Sequence, residues 1–164
     1  MIILLSGKCF TGKDTVAKHV PELKRVSIAD HMKLCYMEEN PDVDMFDRKQ
    51  KEQHRIKMEK FISSKSPEYW LEQTPFQNDC IVTDIRTILE INYVIGKFGK
   101  DSVKTVRLEV CDDERKKRGW VFKKGYDDTN LETELDDYDF DLILMNESDE
   151  DLENCVKQIR KLIQ

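Results

Sequence analysis

The stretch "SGKCFTGKDT", residues 6 to 15, places Gly7 and Gly12 five positions apart with a lysine, Lys13, directly after the second. That spacing suits a loop that wraps phosphate. The glycines let the backbone curl with its N–H groups inward, a following helix N-terminus adds positive potential, and the Lys13 ammonium reaches the β and γ phosphates of a nucleotide. Residues Gly7, Lys8, Cys9, Phe10, Thr11, Gly12, Lys13, Asp14 and Thr15 are therefore candidates for holding ATP. Asp14 stands where such loops normally carry Ser or Thr. A carboxylate there repels phosphate unless a cation lies between them, which makes Asp14 a candidate Mg²⁺ ligand, directly or through water.

A second group lies in "CIVTDIRT", residues 80 to 87. Asp84 falls at the carboxyl end of a short apolar run, the end at which open α/β sheets bind ligands. It is the second candidate for Mg²⁺, and Arg86, two residues on, can offer a planar fork to a transferring phosphoryl group. Lys13, Asp84 and Arg86 are the catalytic candidates. A third group is "CDDERKKRGWVF", residues 111 to 122, in which Arg115 and Arg118 are three apart on one side of a short helix that Gly119 ends. Such a segment can fold over bound nucleotide and exclude water, which phosphoryl transfer needs. The acidic run "DDTNLETELDDYDFD", residues 127 to 141, reads equally as a hydrated linker or as a support for that lid. His19, His31 and His54 have no mutual spacing that suggests a metal site or a triad.

These groups need a scaffold, and the apolar pattern supplies one. Short runs at Ile2 to Leu5, Val26 to Ile28, Cys80 to Thr83, Val106 to Val110 and Leu142 to Met145 alternate with helical stretches, the pattern of buried parallel strands in an α/β sheet. Ser148 with Asp151 approximates a capping box, and Leu152, Val156, Ile159 and Ile163 then fall on one helical face. Residues 45–64 form a weakly amphipathic helix and, with residues 66–74, a helical excursion between two strands. The expected organisation is one domain over residues 1–164, an acceptor-binding excursion over about 45–74 and a lid over about 111–131.

Composition narrows the class. With 37% charged residues, 39% hydrophobic residues and a mean hydropathy of -0.64, the sequence reads as a soluble globule. The apolar start at Ile2 to Leu5 is too short for a signal peptide or a membrane span, so a cytoplasmic monomer without a membrane partner is expected. Five scattered cysteines without a C-x-x-C pair read as reduced thiols rather than disulfides or a zinc site. The net charge of -6 hides a segregation: thirteen acids and no base fall between Lys124 and Lys157, leaving 20 acids against 27 bases elsewhere. The basic remainder attracts anions, but its bases lack the aromatic interleaving of a nucleic-acid surface.

"LLSGKCFTGKD", "VTDIRT", "VRLEVCDDERKKRGWVFKKGYDD" and "LDDYDFDLILMNE", in this order and spacing, resemble the animal-type phosphomevalonate kinase family. The resemblance covers essentially the whole chain. It implies a three-layer P-loop kinase fold of the nucleoside monophosphate kinase kind: a central parallel five-stranded sheet, helices on both faces and a lid segment. It also implies transfer of the γ-phosphoryl group of ATP, with Mg²⁺, to a small phosphorylated acceptor, mevalonate 5-phosphate. On this resemblance Lys8, Lys13 and Asp14 match the family's phosphate loop, and Arg25, Lys51, Arg55 and Arg107 match residues that bind substrate. Arg86 matches its catalytic arginine, and Arg115 and Arg118 match arginines of the lid. Where the family has arginine this chain has Cys9, Leu71 and Thr87. A deoxynucleoside monophosphate kinase and a non-catalytic nucleotide-binding protein are the alternative readings.

Overall fold

The computed structural model describes residues 1–164 apart from the side chain of Arg48. Five parallel strands form one sheet in the order β2-β3-β1-β4-β5: β1 (Ile2–Ser6), β2 (Lys24–Val26), β3 (Cys80–Ile85), β4 (Val103–Glu109) and β5 (Leu142–Met145). The central β1 is buried at every position, as expected of a parallel strand covered on both faces. Its pairing runs Ile2 to Cys80 and Ile2 to Val103, with a register irregularity between Leu4 and Ser6 on the β3 side.

On one face, α1 (Lys13–Lys18) and α8 (Asp149–Leu162) bury Val16, Ala17, Val20, Val156 and Ile159 against Ile3, Leu5, Ile81, Val106, Leu108 and Leu144. The expected capping box at Ser148 and Asp151 is present at the start of α8. The third layer is α5 (Ile88–Phe98), with Ile91 and Val94 buried, followed by a 3₁₀ turn at Lys100–Ser102. Two short helices, α6 (Asp112–Lys117) and α7 (Asn130–Thr133), lie between β4 and β5.

The sequence places the second strand at Val26 to Ile28, whereas β2 ends at Val26. The Ser27 hydroxyl accepts from Asp30 N and caps α2 (Ile28–Glu39), so helix capping overrides the apolar run. Likewise β4 begins at Val103, before the expected start at Val106.

The chain separates into two compact units, residues 1–26 with 76–164 and residues 27–75. The second contains α2, α3 (Arg48–Ser63) and α4 (Pro67–Gln73). Its own core is Tyr36, Met45 and Met58, with Met32, Met37, Phe61 and Ile62 packed around them. Trp70 donates its indole N–H to Ile62 O at 3.0 Å and stacks at an angle on Phe61. The expected helix over 45–64 therefore starts at Arg48, after the Asp47 cap, and Met45 precedes it as a core residue. No helix among the described residues is long and apolar enough to cross a membrane.

Candidate phosphate-binding site

The loop between β1 and α1 is held by its carbonyl groups. The Lys13 ammonium donates to Gly7 O at 2.6 Å and Lys8 O at 2.9 Å, and Thr11 Oγ1 also donates to Lys8 O. Arg115 Nε donates to Cys9 O at 3.0 Å, Arg118 donates to Phe10 O at 3.4 Å, and Asn146 Nδ2 donates to Thr11 O at 2.8 Å. Five consecutive carbonyls, Gly7 to Thr11, thus each accept from a cation or an amide. Thr11 N also donates to Lys8 O at 3.4 Å; a loop whose carbonyls are held in this way can turn its other N–H groups toward an anion, the arrangement of a backbone nest.

Two glycines are required by this geometry. Gly7 has φ 143°, and a Cβ there would sit 2.6 Å from Leu108 O. Gly12 has φ 86°, and a Cβ there would meet Asn146 Nδ2 at the same distance. Both positions combine a left-handed backbone with no room for a side chain.

Lys13 is half-buried, and desolvation lowers its pKa from 10.5 to about 8. Its ammonium rests on neutral carbonyl oxygens, poised for a stronger anionic partner. Beyond β3, Arg86 is set by its own backbone. Glu90 Oε2 accepts from Arg86 N at 2.6 Å and from Thr87 N at 3.0 Å, while the Thr87 hydroxyl accepts from Glu90 N. This capping box fixes the start of α5 and aims the residue before it. Burial raises the pKa of the Glu90 carboxyl, with nearby Asp84 adding to the effect.

The Arg86 guanidinium is paired with Glu132, whose side chain is 8% exposed. Asp136 joins Lys8 at 2.9 Å and Arg107 at 2.6 Å, and Arg107 also donates to Leu135 O and stacks over Phe140. The acidic run is therefore neither a free linker nor only a lid support: its carboxylates sit on the cations of the site. The gap between Gly7, Lys8, Arg86, Arg107, Glu132 and Leu135 is about 10 Å³, room for one water at most, so an anion on that side of Arg86 competes with Glu132. A larger cleft of about 350 Å³ opens on the other flank, lined by Lys8, Thr11, Arg107, Arg115, Asp136 and Met145.

The candidates taken from the sequence divide accordingly. Lys8, Lys13, Arg86, Arg107, Arg115 and Arg118 converge on the loop. Asp84, half-buried, is the last residue but one of β3, two before Arg86. Asp14 Oδ1 accepts from Arg25 Nε at 2.8 Å in an exposed pair, so Arg25 meets the loop's own carboxylate. Thr15 is exposed on α1, and its carbonyl is hydrogen-bonded to His19 Nδ1. Lys51 and Arg55 lie exposed on α3 in the other unit, where Arg55 pairs with Glu59 at 3.0 Å. Of the positions where the resembled family has arginine, Leu71 is 2% exposed in the helical core and Thr87 is a helix cap, so the fold of this chain employs both apolarly or locally.

Arg115 departs from a mobile lid arginine. It is 5% exposed, lies 3.8 Å under the Trp120 ring and pairs with Asp112. Trp120 in turn donates to Asp127. The sequence places Trp120 in the lid segment but gives no role to Asn146, Glu132 or Asp136; the position of Asn146 directly after the last strand is the signal available for it. Arg115→Ala leaves Cys9 O without its donor and removes the cation from Trp120, at about 2–4 kcal/mol. A fall of about 10 °C in melting temperature is expected by calorimetry; an unchanged melt would show that these contacts do not hold the loop.

Asp14 and Asp84 supply hard carboxylate oxygens of the type Mg²⁺ takes. Their partly exposed positions beside the loop are compatible with a cation shared with bound phosphates, although Asp14 must share its carboxylate with Arg25.

No family model matches the chain. A phosphomevalonate kinase of Drosophila melanogaster is 34% identical over 101 residues, 60% of this chain and 48% of that protein. The chain thus spans about half the length of that curated relative. Among solved structures, shikimate kinase from Aquifex aeolicus superposes with a TM-score of 0.55 at 16% identity, covering 99% of this chain and 96% of that one. Shikimate kinase from Bacteroides thetaiotaomicron gives 0.55 at 15% identity, covering 99% and 98%. At such identities the likeness speaks for architecture alone, and the architecture is the P-loop kinase fold: a five-stranded parallel sheet with helices on both faces.

Proposed function

We propose that this protein is an ATP-dependent kinase that transfers the γ-phosphoryl group to the phosphate of a small phosphorylated acceptor, mevalonate 5-phosphate being the first candidate. The observation that carries the reading is the loop whose carbonyls Gly7 to Thr11 are all engaged, two of them by Lys13, with the Lys13 ammonium held at the loop beside where phosphate would lie. The partial match to a phosphomevalonate kinase supports the acceptor. The protein is proposed to work as a monomer in the cytoplasm, without nucleic acid or membrane.

In this reading the loop amides and Lys13 orient the β and γ phosphates. Arg86 leaves Glu132 and stabilises the charge that spreads over the transferring group. Mg²⁺, held by Asp14 and Asp84, would supply charge neutralisation between the phosphate oxygens. Segment 111–131 keeps water from the transferring group, with Arg115 and Arg118 anchoring its first part to the loop. Arg25, Lys51, Arg55 and Arg107 are proposed to bind the acceptor.

A coupled assay of ADP release with mevalonate 5-phosphate and a panel of nucleoside monophosphates tests the acceptor. Release above an acceptor-free control only with mevalonate 5-phosphate supports the first reading. Release only with a deoxynucleoside monophosphate selects the second, which the non-arginine roles of Leu71 and Thr87 favour. ATP binding without any transfer identifies a non-catalytic nucleotide-binding protein.

Asp14→Asn keeps the size of the side chain and removes its charge. ATP binding by this variant should depend less on Mg²⁺, and turnover should fall about a hundredfold, in the range seen when one charge-stabilising group is lost. Titration of ATP at several Mg²⁺ concentrations checks the first part, and unchanged turnover would remove Asp14 from the metal site.

A further inference from the structure

Resting on the nucleotide-kinase reading, we propose that the exposed ring of Phe10 is the platform on which the nucleobase of the donor stacks. Phe10 has φ 65°, a left-handed backbone that is costly for a bulky aromatic residue. Among the described residues the other non-glycine with positive φ is Asp79, a residue type that tolerates this region and that pairs here with the chain's amino terminus. At Phe10 the positive φ belongs to the nest that the loop forms, but a nest does not call for a bulky aromatic side chain at that position.

Packing alone does not explain the ring either: the side chain is 47% exposed, and its Cε1 lies 3.8 Å from where a Cβ on Gly119 would stand. A half-exposed ring on a left-handed backbone at a ligand loop points to binding rather than folding.

The location fits a base. In the sheet order, Arg86 follows β3 on one side of β1, while β4 and β5 lie on the other. Arg118, which follows β4, donates to Phe10 O and, at 2.6 Å, to the carbonyl of Asn146 after β5. Phe10 is thereby tied to the β4–β5 side. A nucleotide whose terminal phosphate meets Lys13 and Arg86 runs its nucleoside end toward that side, where a flat ring and a fixed guanidinium stand together. Both are surfaces on which a purine stacks.

The test compares wild type, Phe10→Gly and Phe10→Trp by isothermal titration with Mg-ATP and with Mg-tripolyphosphate, which keeps the phosphates and lacks the base. Glycine suits φ 65°, so Phe10→Gly should melt at or above the wild-type temperature and its binding data report on a folded protein. Phe10→Gly is expected to bind Mg-ATP about tenfold more weakly and Mg-tripolyphosphate as wild type does, while Phe10→Trp keeps ATP affinity within about threefold. Equal losses for both ligands would make the ring a shaper of the loop and overturn the proposal, as would no loss for either. A wild-type protein that binds neither ligand would overturn the kinase reading and this inference together; one that binds ATP with no difference in Phe10→Gly overturns this inference alone.

Discussion

Lys13→Met lowers ATP turnover by about a thousandfold, the upper range for losing one preorganised positive group at a site where charge develops. The structure adds a pH signature. Below about pH 8 Lys13 is protonated, and its ammonium is ready for phosphate. Above about pH 8 it is neutral, and binding an anion requires proton uptake, because an adjacent phosphate restores a higher pKa. Nucleotide affinity should therefore fall, by up to about tenfold per pH unit, as pH rises beyond about 8. Lys13→Met should bind more weakly and lose this dependence. Titrations between pH 7 and pH 10 decide the matter, and an identical pH profile in the variant would remove Lys13 from the phosphate site.

Stability carries the same signature with the opposite sign. The folded pKa of about 8 lies below the unfolded value of 10.5, so the folded state binds fewer protons between them. The cost of burying the ammonium, about 3 kcal/mol, is present below pH 8 and relieved as pH rises toward 10.5. Denaturant unfolding of wild type, referenced to Lys13→Met, should show relative stability increasing across that window.

Arg86→Ala should lower turnover by about a thousandfold or more while leaving ATP binding within about threefold of wild type. The asymmetry follows from its position. Arg86 is paired with Glu132, so a ground-state contact to ATP competes with an existing ion pair and gains little. Charge spreading over the transferring group is where the second and third N–H donors of the fork count. Arg86→Lys keeps one charge without the fork and should recover only a small part of the rate. Single-turnover and equilibrium titration data separate the two effects, and a proportional loss of ATP affinity would reassign Arg86 to simple binding.

The acidic run between Tyr126 and Leu142 marks the limit of sequence reasoning. Its composition reads as a hydrated linker because thirteen acids in the wider segment face no base within it. The partners are distant in sequence: Glu132 meets Arg86, Asp136 meets Lys8 and Arg107, and Glu134 accepts from Ile88 N. The charge segregation along the chain is thus resolved in space by pairing the two signs. Glu132 is consequential because its carboxylate already pairs with one arm of the Arg86 fork, so an anion there competes with it.

The sequence by itself determined the phosphate loop, the parallel strands and the capping box of α8. Such features depend on neighbours within a few residues: glycine tolerance of positive φ, apolar runs covered on both faces, and hydroxyl-to-amide capping. Tertiary structure alone decided what holds the loop open for an anion. Arg115, Arg118 and Asn146 reach its carbonyls from more than a hundred residues away, and no local pattern encodes that convergence. It also decided that Arg115 is buried under Trp120 rather than left free to swing, because burying a guanidinium needs an acceptor and a ring that only the folded chain brings together.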